Sequence, residues 1–182
     1  GDVEDLLEDY ADYVTIGTIG DMVPLLNENR AIVKAGLKLI NADAKIGISA
    51  LKKSTNSKAE HFSATDVAFQ ICPRINAAGR MDTANLAVDL LTCEDNEIAE
   101  YKAEQLNLEN THRHEVEEKI DKDIAEIMAN DRAYQTDRVI VVAGHNYHKG
   151  VIGICAAHLV ELYSKPAIVI GIDDDAHRSE ER

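Results

Sequence analysis

The sequence predicts an α/β protein of two parts joined by a long helix. Three features predict it. An apolar, β-branched run closes on a glycine-punctuated turn between Tyr13 and Leu25 (YVTIGTIGDMVPL). A helical pattern runs from Asn96 to Asn130 with neither Pro nor Gly. A strand–helix–strand pattern occupies Arg138 to Ile172.

Residues 2–11 (DVEDLLEDYA) predict a helix with Val3, Leu6, Leu7 and Tyr10 on one face. Tyr13 to Ile19 then reads as a buried strand. The Gly-Thr-Ile-Gly turn after it delivers Asp21 to the strand end, where open α/β sheets place their ligands. Glu28 to Ile40 reads as a helix, with Gly36 costing it about 1 kcal/mol against Ala. Ile46 to Leu51 is a short helix or turn, and Lys52 to Glu60 is a polar loop. Ser63 or Thr65 caps a helix that runs to Ile71 and ends at Pro73. PRINAAGR, Pro73 to Arg80, reads as a loop, and Thr83 to Leu91 as a helix.

The long helix carries a narrow apolar stripe of Ile98, Tyr101, Leu106, Val116, Ile120, Ile124 and Ile127. Its middle, Asn107 to Glu115, is polar, which suits a connector packing on a different body at each end. Arg138 to Ala143 and Pro166 to Ile172 are near-continuous apolar strands joined by a helix from Val151 to Tyr163. That pattern predicts a parallel pair covered on both faces. The acidic run Asp173 to Asp175 reads as a loop.

Composition narrows the function. The 182 residues are 45% hydrophobic with 4% aromatics and no Trp, so the core is aliphatic. A formal net charge of −14 argues against non-specific coating of nucleic acid but does not exclude a focused basic groove. Three scattered cysteines form no disulfide framework and read as small buried hydrophobes of a reducing cytoplasm. No apolar run reaches the roughly 20 residues of a membrane span, and no signal peptide is visible. Gly1 stands where an initiator Met would, an acidic segment leads straight into a buried pattern, and the other end is a strand followed by a polar stub, which reads as a piece of a longer chain.

Three segments carry chemistry. Asp21 can ligate a hard divalent cation or cap a turn through its own backbone. In PRINAAGR, Arg74, Asn76 and Arg80 can meet phosphate oxygens, or the arginines can pair with this chain's many acids. In HKGVIG, His148, Lys149 and Gly150 precede a helix whose first N–H groups suit an anion, or they form an ordinary strand-to-helix turn. His112 and His114, at i and i+2, face different sides of a helix and read as solvated.

Taken in order, YVTIGTIGDMVPLLNENRAIVKAGL, FQICPRINAAGRMDTANLAVDLL and VIVVAGHNYHKGVIGICAAHLVELYSKPAIVI resemble the RecJ family. These are single-strand-specific 5′-to-3′ DNA exonucleases of the DHH phosphoesterase superfamily. The resemblance implies that residues 1–95 are the end of a parallel-sheet DHH domain, 96–130 the connector helix, and 131–182 the start of a DHHA1-type nucleic-acid-binding domain. It implies a Mn²⁺ or Mg²⁺ pair held by Asp and His residues, with Asp21 matching the last Asp of the set and serving as the catalytic metal ligand. It further implies single-stranded DNA as the partner, contacted by Arg74, Asn76, Arg80, His148, Lys149 and Gly150, in a cytoplasmic enzyme of DNA repair and recombination. The DHH tripeptide and the family's Gly/Ser/Arg-rich motif are not in this sequence, so this chain alone is expected to be inactive. Two other readings stand beside it: a DHH phosphodiesterase of oligonucleotides or cyclic dinucleotides, and a non-catalytic replication scaffold of the same fold.

Overall fold

The computed structural model describes residues 3–173 apart from 43, 82 and 132, and the side chains from residue 9 onward apart from 135. The expected face of Val3, Leu6 and Leu7 and the acids Asp174 and Asp175 lie outside the described residues and side chains. The chain divides into two compact units, residues 1–110 and 111–182.

Every described element of the first unit is a helix. Helix α1 spans Val3–Gly20, so the strand expected over Tyr13–Ile19 is a helix instead. Ala11, Asp12, Thr15, Ile16 and Ile19 are buried, while Val14 and Gly17 are exposed. That spacing is the 3.6-residue period, which the run of β-branched residues obscured. β-branched residues lose only some tenths of a kcal/mol in a helix, whereas each buried aliphatic side chain gains roughly 1.5–3 kcal/mol. Burial therefore overrides propensity.

Helix α2 (Asn27–Ala42) crosses α1 closely, with Val33, Gly36 and Ile40 buried. A Cβ on Gly36 would lie 2.1 Å from both the Ala11 carbonyl oxygen and Thr15 Oγ1. The Thr15 hydroxyl donates to the Ile32 carbonyl at 3.3 Å. Beside this crossing the buried Asp12 carboxylate takes Lys45 Nζ at 2.7 Å on both oxygens, and the same ammonium lies 4.5 Å from the Tyr13 ring centre. Lys45 leads into α3 (Ile46–Ser54), which buries Ile48, Ala50 and Leu51.

Next comes one unbroken helical run. It opens at α4 (Ala64–Asp66) on the expected cap, where Ser63 and Asp66 form a capping box. It widens into a π-helical turn at Val67–Ile71 and continues as α5 (Cys72–Arg80). The expected PRINAAGR loop is thus a helix, and Pro73 does not end the run. Proline has no N–H and crowds the carbonyl four residues back. The wide turn relieves that conflict: the Cys72 N–H reaches back to the Val67 carbonyl, and Pro73 then sits in the first turn of α5, where a donor is not needed. Helix α6 (Ala84–Leu91) buries Ala87 and Leu90.

Helix α7 spans Asn96–Asn130, as its periodicity predicts. Its buried positions in the first unit are Ala99, Ala103 and Leu106, whereas Ile98 and Tyr101 are 50% and 67% exposed. Small residues allow close approach, so the true seam is displaced from the larger apolar side chains. In the second unit Ile120, Ile124 and Met128 are buried, and so are Arg113 and Glu117.

The second unit continues with α8 (Ala133–Thr136), β1 (Ile140–His145), α9 (Ile152–Tyr163) and β2 (Ala167–Ile172). The strands pair in parallel, with Ile140 opposite Ala167 and Gly144 opposite Gly171. On β1, Ile140, Val142 and Gly144 are buried and alternate with exposed residues. Val141, Ile168 and Ile170 are 47%, 52% and 44% exposed, so one face of the pair is covered where two were expected.

Two glycines of the first unit separate close packing from helix propensity. Gly36→Ala is expected to destabilise by about 1–3 kcal/mol, because the backbone of α1 blocks the added methyl. Gly17→Ala meets nothing within 4 Å and is expected to stabilise by about 0.5–1 kcal/mol. Urea unfolding of both variants checks the opposite signs.

Candidate functional site

Asp21 sits at the end of α1, not at the end of a strand. The Met22 N–H donates to the Ile19 carbonyl at 3.0 Å and the Val23 N–H to the Thr18 carbonyl at 3.2 Å. Met22 has φ 54°. Together these form a Schellman cap, with Met22 in the left-handed position that glycine usually takes and Asp21 as the cap residue. The Asp21 side chain is exposed. A carboxylate at a helix C-terminus faces the negative end of the helix dipole, so a cation beside it relieves an unfavourable interaction. An oxygen donor there suits a hard divalent ion, and Asp21 fits the role of one ligand.

The end of α1 lies against the start of α5. A Cβ on Gly20 would be 3.4 Å from Cys72 Sγ, and that thiol donates to the Ile16 carbonyl at 3.6 Å. Burial pushes the Cys72 thiol up to about 11, so it is a packing group and no nucleophile. The PRINAAGR segment thus begins beside the turn that carries Asp21.

The helical form of that segment sorts its polar residues. At 100° per residue, Asn76 and Arg80 (i, i+4) share one side of α5, and Arg74 points nearly opposite. Arg74 is half-buried: Nη1 donates to the Gln70 carbonyl at 2.6 Å and Nε to Asn107 Oδ1 at 3.0 Å. Burial lowers its pKa, against the pull of Glu104. Its guanidinium ties α5 to α7 within the first unit. Asn76 and Arg80 are exposed.

In the second unit, His148, Lys149 and Gly150 lie between β1 and α9. His148 organises the turn: its carbonyl accepts from the Val151 and Ile152 N–H groups at 2.9 and 3.2 Å, and Nδ1 accepts from the Gly150 N–H at 3.1 Å. These three amides, expected to face an anion, are therefore satisfied inside the turn. An accepting Nδ1 assigns the ring proton to Nε2, which makes Nε2 a donor. His148 and Lys149 line a cleft of ≈ 390 Å³ together with Asn146, Tyr147, Ile172 and Asp173.

Sequence reasoning passed over a further cluster in this unit. Among the described residues, one group of three potential metal ligands converges: Glu117 and Asp121 of α7 and His158 of α9, with ligand atoms within 4.8 Å of one another. His158 already spends both ring nitrogens, Nδ1 on Asp121 at 2.9 Å and Nε2 toward Glu117 at 3.5 Å. Arg113 Nη1 holds the other Glu117 oxygen at 2.6 Å. With His158 protonated the charges are matched, and the cluster reads as an ionic tie between α7 and α9. The i,i+4 acids on α7 and a lone His on an apolar helix are the sequence signal for it. Cys155 lies beside it, with burial and then Asp121 pushing its thiol up to about 12. Of the two histidines expected to be solvated, both are exposed, and His114 Nε2 lies 2.6 Å from Arg113 Nη2.

No family model matches the chain. Curated relatives do. The chain is 36% identical over 171 residues to the single-stranded-DNA-specific exonuclease RecJ of Bacillus subtilis, covering 94% of this chain and 22% of that protein. It is 33% identical over 165 residues to the RecJ of Escherichia coli, covering 89% and 29%. Among solved structures, RecJ of Thermus thermophilus in complex with Mn²⁺ matches with a TM-score of 0.80 at 34% identity, over 91% of this chain and 24% of that one. A structure of exonuclease RecJ bound to manganese matches with a TM-score of 0.78 at 33% identity, over 91% and 40%. The chain thus spans between about a fifth and a third of the length of these curated relatives, from 22% to 29%.

The His158 tie makes the second unit sensitive to pH. The Asp121 hydrogen bond raises the His158 pKa above its ordinary 6.5, against a smaller lowering by burial, with Asp121, Glu117 and Glu161 charges adding to the rise. A raised folded-state pKa means the stabilisation is complete below the unfolded value and is lost as pH rises through the folded one. The melting temperature of the native chain is therefore expected to fall as pH rises above about 6.5, and His158→Gln to remove that part of the slope. Melting curves of both proteins across this range check it.

Proposed function

Since this chain belongs, over the residues that align, to the RecJ family, we propose that the protein carrying it is a metal-dependent exonuclease that degrades single-stranded DNA by phosphodiester hydrolysis. The observation that carries this is the correspondence of sequence and fold over about nine-tenths of the chain at once, including 34% identity at a TM-score of 0.80. In this reading Asp21 supplies one oxygen ligand to a Mn²⁺ or Mg²⁺ ion, and other groups complete the shell. Once bound, such ions stabilise charge on phosphate oxygens and acidify water.

The chain's own residues do the rest. Asn76 and Arg80, on the outward side of α5, bind phosphate oxygens of the strand. The Arg80 guanidinium offers a planar fork to two oxygens, and the Asn76 amide donates beside it. Arg74, held by Gln70 and Asn107, keeps α5 in register with α7 and supports these contacts from behind. His148 Nε2–H and the Lys149 ammonium bind a further phosphate, and Gly150 leaves the backbone slim where the strand passes. The net charge of −14 repels polyanions elsewhere, so these few donors act as a focused path.

Among the described residues no helix is long and apolar enough to cross a membrane. We place the protein in the cytoplasm on its likeness to exonucleases that act on DNA. In this reading Asp21 is one ligand among several, and the 182-residue chain alone is expected to be inactive.

Asp21→Asn in the full-length protein is expected to lower Mn²⁺-dependent degradation of an end-labelled single strand at least about a hundredfold, with Mn²⁺ affinity falling in parallel. Arg80→Ala is expected to raise KM about tenfold with less effect on kcat. Undiminished activity of Asp21→Asn overturns the metal assignment. A preference for dinucleotides over long strands overturns the exonuclease reading in favour of a small-substrate enzyme.

A further inference from the structure

We propose that Tyr147 is the positioning residue of the His148–Gly150 turn, its ring seated in a slot left by two paired strand glycines and its hydroxyl anchored on Asp123. The inference rests on the reading of that turn as phosphate-facing and adds the means by which it is held in place.

Gly144 of β1 and Gly171 of β2 are register partners. Neither has positive φ, so their glycine character is not a matter of backbone freedom. It is a matter of space. A Cβ on Gly144 would lie 2.0 Å from Tyr147 Cζ and 2.4 Å from both Cε atoms. A Cβ on Gly171 would lie 2.7 Å from the Tyr147 carbonyl oxygen. The two missing side chains form a bed across the end of the sheet, with the ring over one strand and the Tyr147 backbone over the other.

The chain reaches this bed by a sharp turn. Asn146 takes φ 58°, a conformation that asparagine tolerates, and its N–H donates to the Ile172 carbonyl at 2.9 Å. The far end of the ring is held as well, because the Tyr147 hydroxyl donates to Asp123 Oδ2 on α7. Burial, and then the Asp123 hydrogen bond, raise the Tyr147 pKa and keep it a donor. Tyr147 is thereby pinned to both strands and to α7. His148 comes directly after it, and the bonds from His148 to Gly150, Val151 and Ile152 carry that placement to the start of α9. The ring cannot give way to an added methyl without swinging the turn, so whatever moves Tyr147 moves His148 and Lys149.

The test uses the full-length protein and a short oligothymidylate, with Kd measured for Lys149→Ala, Tyr147→Ala, the double variant, Tyr147→Phe and Asp123→Asn. Lys149→Ala and Tyr147→Ala are each expected to raise Kd about tenfold, the loss of one charge-assisted contact. The double variant is expected to be no weaker than either single one, since both remove the same contact. Tyr147→Phe keeps the ring in its slot but loses the hydroxyl bond to Asp123, and is expected to weaken binding about threefold, less than Tyr147→Ala. Asp123→Asn changes an exposed position, leaves folding intact and is expected to weaken binding about threefold. A structural role alone would change the melting temperature without coupling Tyr147 to Lys149. If Lys149→Ala weakens binding while Tyr147→Ala and Asp123→Asn do not, or if the two losses simply add, the positioning role is overturned. If Lys149→Ala has no effect, the phosphate-facing reading of the turn fails instead.

Discussion

The first unit depends on how closely α2 approaches α1. At Gly36 there is room for a hydrogen and nothing larger against the Ala11 carbonyl and the Thr15 hydroxyl. This contact turns the buried side of α1 toward α2 and leaves Val14 and Gly17 outside. The same helix ends in the Schellman cap at Asp21, with Gly20 packed on Cys72. The neighbouring Asp12–Lys45 pair joins it to the start of α3, with a carboxylate 1% exposed matched by one ammonium. A buried charge without a partner would cost several kcal/mol, so this pair favours one arrangement of the chain over alternatives.

The π-helical turn before Pro73 is the second constraint. It carries the helix past a residue that would otherwise break it and rotates the α5 side chains about the helix axis. Arg74 is turned inward onto Gln70 and Asn107, and Asn76 and Arg80 face outward. A loop of the same sequence could present all three polar groups together, whereas a helix cannot. The wide turn thus decides which of them face solvent.

The second unit handles polar groups by local matching. Glu117 and Asp121 are met by Arg113 and His158, and the phenol of Tyr147 by Asp123. Each match joins residues of α7 to one another or to the β1–α9–β2 unit. A helix rich in acids can serve as packing surface in an acidic protein because its buried carboxylates are paired and the rest face solvent. The turn after β1 inherits its position from these ties.

Much was legible in the residues. Helix α7 was readable because thirty-five residues of one period leave little room for another assignment. Ser63 and Asp66 announced their cap, and two apolar runs around a helical one marked the β1–α9–β2 unit. These are local signals, in which spacing and chain chemistry suffice. Asp21, PRINAAGR and HKGVIG were likewise visible as candidate sites from residue type. Only the tertiary structure decided the rest. The run from Tyr13 to Ile19 is helical because its burial partners sit on other elements, α2 and α5, and their packing outweighs β-branched propensity. Pro73 continues a helix because the turn before it widened. Arg74 faces inward because Asn107 of α7 lies within reach of its guanidinium, whereas the amides of the HKG turn close locally on His148. Residue type and spacing determined which groups this chain has to offer; long-range packing determined which of them point outward.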